Sequence, residues 1–238
     1  MNIEGMEWDD FLDWFGKAWK PGEHVAFVAP TGEGKTTTAV GVLKLRKYVL
    51  ALDPKGGDST LKAAGFERIT KWDRNTLRKI QRKIEDDEPV RLIVGPIVET
   101  REDQAAMRVL FSKVLRDVFR QGGWTVYVDE MQVLSDRRLM NLAGDAEALL
   151  IAARDKGVSF VSSFQRPANV PRTASDQSSW FVVFHTRDVD VVGRLAEMAG
   201  QSKAQMRGAL RGLLPHSCLV FSRNPRQPII ATKARKIN

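Results

Sequence analysis

Apolar residues along the chain fall into two alternating patterns. Short runs rich in β-forming residues read as strands buried on both faces: Val25-Ala-Phe-Val-Ala29, Tyr48-Val-Leu-Ala-Leu52, Val90-Arg-Leu-Ile-Val94, Val126-Tyr-Val128, 158–163 and 180–184. Between them apolar positions recur every three or four residues, the spacing of an amphipathic helix. Trp8, Phe11, Leu12 and Phe15 mark a helix over residues 5–18, stopped by Lys20-Pro-Gly22. Met107, Leu110, Phe111, Val114, Leu115 and Val118 mark another from Glu99 to Arg120, ended by Gly122-Gly123. Leu139, Leu142, Ala146, Leu149, Leu150 and Ala153 mark a third that runs to Arg154. A helix over 73–85, a short strand at 66–69, two shorter helices after 184 and a hairpin at 218–221 and 229–231 complete the pattern. This alternation predicts an α/β fold with a mostly parallel central sheet flanked by helices. It divides into an N-terminal helix (1–22), a core (23–215) and a C-terminal hairpin with a basic tail (216–238), one domain overall. The aromatic N-terminal helix is expected to pack on its own core, with the sheet edge or a neighbouring subunit as the alternatives.

The first strand runs into the next helix through Ala29-Pro30-Thr31-Gly32-Glu33-Gly34-Lys35-Thr36, followed by Thr37. A glycine loop between strand and helix presents successive N–H groups and the positive end of the helix dipole to a phosphate, so residues 30–37 are the expected nucleotide cradle. In such a P-loop Lys35 reaches the β- and γ-phosphates of ATP, and the Thr36 hydroxyl is placed to ligate Mg²⁺. Ala29 stands at the loop's first glycine position, which is tolerable if its φ stays negative. The run Val126-Tyr-Val-Asp129-Glu130 delivers two carboxylates at a strand's C-terminal edge, where open α/β sheets bind ligands. Asp129 is expected in the magnesium shell and Glu130 as the group that polarises attacking water. The expected fold class is therefore a P-loop NTPase, and the pattern resembles the RecA/ASCE-like kind.

With 238 residues, 43% hydrophobic and 28% charged, the chain can bury a sizeable core. No apolar stretch approaches the roughly 18–20 residues that span a bilayer, and the start carries no secretory pattern, so no membrane partner and a cytoplasmic site are expected. A single cysteine, Cys218, excludes an internal disulfide. The net charge of +8 suits an anionic partner such as nucleic acid. Arg223, Arg226, Lys233, Arg235 and Lys236 form a tail without acidic residues, read either as a phosphate contact or as a solvated, frayed terminus. Arg137, Arg138 and Arg172 are further basic candidates.

After the carboxylates comes Ala152-Ala-Arg154-Asp-Lys-Gly157-Val-Ser-Phe-Val-Ser-Ser-Phe-Gln165-Arg-Pro167. Together with Leu52-Asp53-Pro-Lys55 and Phe184-His-Thr186-Arg-Asp188, this segment resembles the FtsK/HerA superfamily of DNA-pumping ATPases, over roughly residues 23–200. The resemblance implies that Gln165 senses the γ-phosphate and that Arg154 is a finger completing a neighbour's site. By its position alone Arg154 is equally an ordinary dipole-compensating helix end, and Asp53 a common turn starter. The implied assembly is a homo-oligomeric ring, pentamer or hexamer, pulling double-stranded DNA. The short chain, without an added DNA-orienting module or an acidic cluster for a two-metal nuclease, is similar to bacteriophage genome-packaging ATPases, whose portal and capsid proteins and a separate nuclease supply the remaining parts. A nucleotide-switched assembly or partition ATPase and a helicase-like ATPase are the alternatives.

Overall fold

A computed structural model describes residues 1–54, 56–96 and 100–235. Lys55, Glu99 and Lys236, named above, lie outside that set. Ten strands form one sheet: β1 (Ile3–Gly5), β2 (His24–Val28), β3 (Tyr48–Leu52), β4 (Glu67–Ile69), β5 (Val90–Val94), β6 (Thr125–Val128), β7 (Ser159–Phe164), β8 (Ser178–Phe184), β9 (Ser217–Ser222) and β10 (Ile229–Lys233). Their order is β1-β10-β9-β8-β2-β7-β6-β3-β5-β4. From β8 to β4 every neighbouring pair is parallel; β9 is antiparallel to both β8 and β10.

The helices are α1 (Trp8–Ala18), α2 (Lys35–Leu43), α3 (Ser59–Ala63), α4 (Arg74–Glu85), α5 (Arg101–Gln121), α6 (Met131–Ser135), α7 (Ala143–Ala152), α8 (Arg172–Asp176), α9 (Val189–Met198) and α10 (Lys203–Arg211). They cover both faces of the sheet, because successive strand residues point to opposite sides. Val25, Phe27 and Tyr127 pack with α1 and α2 residues such as Phe11, Phe15 and Val40. Ala26, Val126 and Val128 pack with Phe111, Val114 and Leu150 of α5 and α7. Burial on both faces is the reason the central strands read as unbroken apolar runs rather than alternating ones.

Three differences from the sequence pattern have local causes. The helix expected from Leu139 begins at Ala143, because the Asp136 side chain accepts from the Arg138 and Leu139 N–H groups (2.7 and 3.3 Å) and Asn141 adopts φ 49°. Leu139 is consequently exposed. Residues 3–5 form an unexpected strand paired with β10, and the helix expected from residue 5 starts at Trp8. The basic tail is not a frayed terminus within the described residues. Arg223 donates to the Ser178 and Ser175 carbonyls (both 3.0 Å) and stacks on Phe181, while Arg235 pairs with Asp9 at 2.8 Å.

The N-terminal helix packs on its own chain. Phe15 stacks between Phe11 and Trp19 and meets the Trp180 ring edge-on, and Trp8 lies over α2 at Gly41. A Cβ at Gly41 would stand 2.4 Å from Trp8 Cζ2, so glycine is required for this approach.

Candidate functional site

The phosphate loop leaves β2 at Val28 and enters α2 at Lys35. Gly32 and Gly34 have φ 88° and 86°, a left-handed backbone that glycine adopts without penalty, and Ala29 keeps negative φ. Pro30, Glu33, Gly34, Lys35, Thr36 and Thr37 are half-buried, while Thr31 and Gly32 are exposed. No atom would lie within 4 Å of a Cβ placed on Gly32, so the loop faces open space at that residue. The first N–H groups of α2, which lack partners within the helix, are the donors such a loop offers to an anion.

Strand order brings the carboxylates opposite the loop. β7 lies between β2 and β6, with Val28 level with Phe164 and Ser162 level with Val128. Asp129 therefore emerges from the same sheet edge as the loop, and its Oδ1 accepts from Thr36 Oγ1 at 3.2 Å. The buried Tyr127 hydroxyl donates to the same oxygen. Burial first, then the Asp129 charge, raises the Tyr127 phenol well above its ordinary value, so it stays a donor. A hydroxyl and a carboxylate in contact are the hard oxygen donors that Mg²⁺ takes, and this pair fits the ion the loop pattern implies. Glu130, half-buried, opens α6 from the next position.

Gln165 follows the last residue of β7 and is exposed at that edge, beside Ala29, whose N–H donates to the Phe164 carbonyl (3.2 Å). Arg166 Nε pairs with Asp188 Oδ2 at 3.2 Å, and Asp188 also caps α9. Two separate sequence segments are thereby fastened together next to the loop.

Arg154 lies at the other end. It precedes β7, and its carbonyl lies against Gly22, just before β2. Its side chain is exposed and makes no hydrogen bond or ion pair with the described residues. A five-residue strand separates this position from the loop by roughly 16 Å. Arg154 is thus not assembled with Lys35, Thr36, Asp129, Glu130 and Gln165 within one copy.

Two further acidic groups lie near the site: Asp53, expected as a turn starter, has that role, and Asp58 was not singled out in the sequence. Asp53 is buried and accepts from Gly56 N–H (3.0 Å), Asp58 N–H (2.9 Å) and Arg68 Nη2 (2.9 Å), the last tying it to β4. Asp58 caps α3 through Thr60 and Leu61 N–H groups. Burial raises its carboxyl above the usual range, and the nearby Asp129 and Asp53 charges push the same way, against the capping bonds. Their adjacency depends on β3 pairing with β6, which no local pattern reveals.

No family model matches the chain, and no curated protein matches it. Solved structures do. The genome packaging NTPase B204 from Sulfolobus turreted icosahedral virus 2, in complex with sulfate, aligns with TM-score 0.60 at 17% identity over 92% of this chain and 99% of that one. The DNA-packaging ATPase B204 from Sulfolobus turreted icosahedral virus gives TM-score 0.61 at 16% identity, over 92% and 100%. The cytoplasmic domain of the Thermomonospora curvata Type VII secretion ATPase EccC gives 0.55 at 15%, over 90% of this chain and 25% of that one. At such identities the likeness is one of fold. This chain has the P-loop ATPase fold, a mostly parallel sheet with the phosphate loop after β2.

Proposed function

We propose that this protein is an ATP-driven double-stranded DNA translocase, a genome-packaging motor. The observation that carries the reading is the Thr36–Asp129 contact at 3.2 Å across an open loop, with β7 delivering Gln165 between the two. The fold shared end to end with viral packaging ATPases supports it.

In this reading residues 30–37 wrap the triphosphate of ATP and Lys35 neutralises charge that develops on the transferred phosphoryl group. Thr36 and Asp129 would hold Mg²⁺, which would supply positive charge to offset that of the phosphates. Glu130 accepts the proton of the attacking water, and Gln165 reports the state of the γ-phosphate to the strand that carries it. Arg154, at the opposite end of the strand from its own loop, is assigned in this reading to the nucleotide of a neighbouring copy in a ring of five or six. Duplex passes through the ring on Lys and Arg contacts to phosphate that read no bases; Arg137, Arg138 and Arg172, all exposed, are candidates. Portal or capsid proteins and a separate nuclease are the remaining partners. No helix among the described residues is long and apolar enough to cross a membrane, in keeping with a motor working in the cytoplasm.

The test is ATP hydrolysis with and without duplex DNA. Stimulation by duplex, lost in Glu130→Gln, is the expected result. A rate indifferent to duplex would instead favour a nucleotide-timed assembly protein.

A further inference from the structure

Positive charge is concentrated at one end of the chain. Only basic residues, and no acidic ones, follow Glu197, and the net charge of the last 41 residues equals the +8 of the whole chain. The fold uses some of these cations itself: Arg223 is tied to backbone carbonyls and Arg235 to Asp9. Lys203, Arg207 and Arg211 of α10 are different. All three are exposed and make no hydrogen bond or ion pair with the described residues, including Asp190 and Glu197, the exposed carboxylates of α9. Their four-residue spacing sets them in one row along about 12 Å of helix, a length over which one strand of duplex DNA presents about three to four phosphates.

The row works against α10 as a helix. Like charges four residues apart repel, and Lys203 places a cation at the positive end of the helix dipole. Gly208, exposed beside the row, weakens the helix further, yet packing does not require it: a Cβ there would meet nothing within 4 Å. A polyanion lying on this face would offset the repulsion, and the bare Gly208 would let its backbone come close.

The rest of the face favours DNA among anionic partners. Ala204 and Gln205 complete its exposed surface, with no large apolar side chain. Helices that lie on membranes insert such side chains, and protein interfaces centre on them. A second basic row, Arg74, Arg78 and Arg82 of α4, runs into the acidic stretch Glu85-Asp86-Asp87-Glu88 and lies between β4 and β5, the end of the sheet far from β2. By contrast α10 leads into β9, two strands from β2. Val28 is level with Val183 and Val183 with Leu219, so antiparallel β9 begins at the edge that carries the phosphate loop. In the turn between α10 and β9 His216 adopts φ 62° and lies against that loop: a Cβ on Gly34 would stand 3.6 Å from both its Cβ and its Nδ1.

We infer that the exposed face of α10 holds the phosphate backbone of duplex DNA, one turn of chain away from the nucleotide loop. The inference rests on the duplex-translocase reading and adds the surface on which the duplex lies.

Duplex binding measured by fluorescence anisotropy over a range of salt tests it. Glutamine is a good helix former, so Lys203→Gln/Arg207→Gln/Arg211→Gln keeps α10, which a urea midpoint no lower than wild type checks. This variant is expected to flatten the slope of log affinity against log salt by about 2–3, since each phosphate contact contributes about 0.9. Duplex should no longer stimulate its ATP hydrolysis, and the rate without DNA should stay at the wild-type value. Arg74→Gln/Arg78→Gln/Arg82→Gln removes the same charge from α4 and is expected to change the slope by about one at most. Ala204→Glu, which removes no cation, should weaken duplex binding by itself. Equal flattening in the two triple variants would mean that net charge, not this face, attracts the duplex, and would overturn the inference. So would an α10 variant that binds duplex like wild type, including one that loses only its binding to phosphatidylserine vesicles. Wild-type protein that binds no duplex overturns the translocase reading as well, whereas wild-type binding that the α10 variant retains leaves that reading standing.

Discussion

The two ends of β2, a strand of five residues, do opposite work. At its C-terminal end the backbone opens into the left-handed glycines of residues 32 and 34, and the polar groups there are half-buried or exposed. At its N-terminal end the polar groups of Gly22, Glu23 and His24 are already paired. His24 is 3% exposed; its Nε2 lies 3.0 Å from the Leu150 carbonyl, and its Nδ1 accepts from the Phe160 N–H at the same distance. The Gly22 N–H donates to Ser159 Oγ at 3.1 Å. Trp180 and Trp19 both donate to Glu23, through its carboxylate and its carbonyl, at 2.9 Å each. One end is held open by a rigid sheet so that a ligand can complete it; the other supplies the rigidity. Substitutions at the two ends should therefore separate activity from stability.

The sharpest probe is Arg154, whose main chain belongs to the stable end while its side chain is exposed. If it completes a neighbour's site, Arg154→Ala should lower DNA-stimulated hydrolysis by about 10³-fold or more with the melting temperature nearly unchanged. Mixed rings should lose activity out of proportion to the mutant fraction. Activity that declines linearly on mixing would return Arg154 to the role of a helix-end charge. Glu130→Gln comes next, with hydrolysis reduced by about 10³-fold and ATP binding retained. Loss of binding together with turnover would mean that Glu130 holds the loop rather than the attacking water.

Gly22→Ala should do the reverse. A Cβ there would stand 2.4 Å from the Arg154 carbonyl oxygen, at φ 84°, so both strain and overlap act on the folded state. A loss of about 2–3 kcal/mol is expected, measured as a shift in the urea midpoint at unchanged slope. The turnover of the remaining folded protein should stay near wild type. An unchanged midpoint would show that the lower end yields more easily than its packing suggests.

How much of this was legible beforehand follows the range of each interaction. The places of the loop at 30–37 and of the pair Asp129-Glu130 at strand ends were legible because a strand, a glycine loop and a helix start are local in sequence. Gln165 was placed correctly at a strand tip, since an apolar run ending in Gln-Arg-Pro is also local. What no local pattern carries is which strands become neighbours. The positions of β7 between β2 and β6, of Asp53 and Asp58 beside Asp129, and of His216 beside Gly34 all depend on pairings across tens to hundreds of residues. Leu139 shows the converse error: its spacing suits a helix, but a side-chain turn from Asp136 competes with the helix and wins.

The smallest effect tests whether the lower end of β2 is closed to protons. Burial, aided by the Arg154 charge and opposed by the bond to Leu150, holds the His24 imidazole below its ordinary pKa of 6.5. The geometry agrees in sign. Nδ1 already accepts from Phe160 N–H, so a proton added there would face a donor. Above the unfolded pKa both states are neutral and His24 contributes no pH dependence; as pH falls below about 6.5 the unfolded chain takes up a proton that the folded chain refuses, and stability declines. The decline continues until pH passes the lowered folded value. Wild-type urea midpoints measured from pH 7.5 to 5.5 should therefore fall more steeply than those of His24→Gln, which begins less stable but lacks this proton. Parallel curves for the two proteins would mean that water or a shifted partner admits the imidazolium, and that the stable end of the strand is less closed than the active one is open.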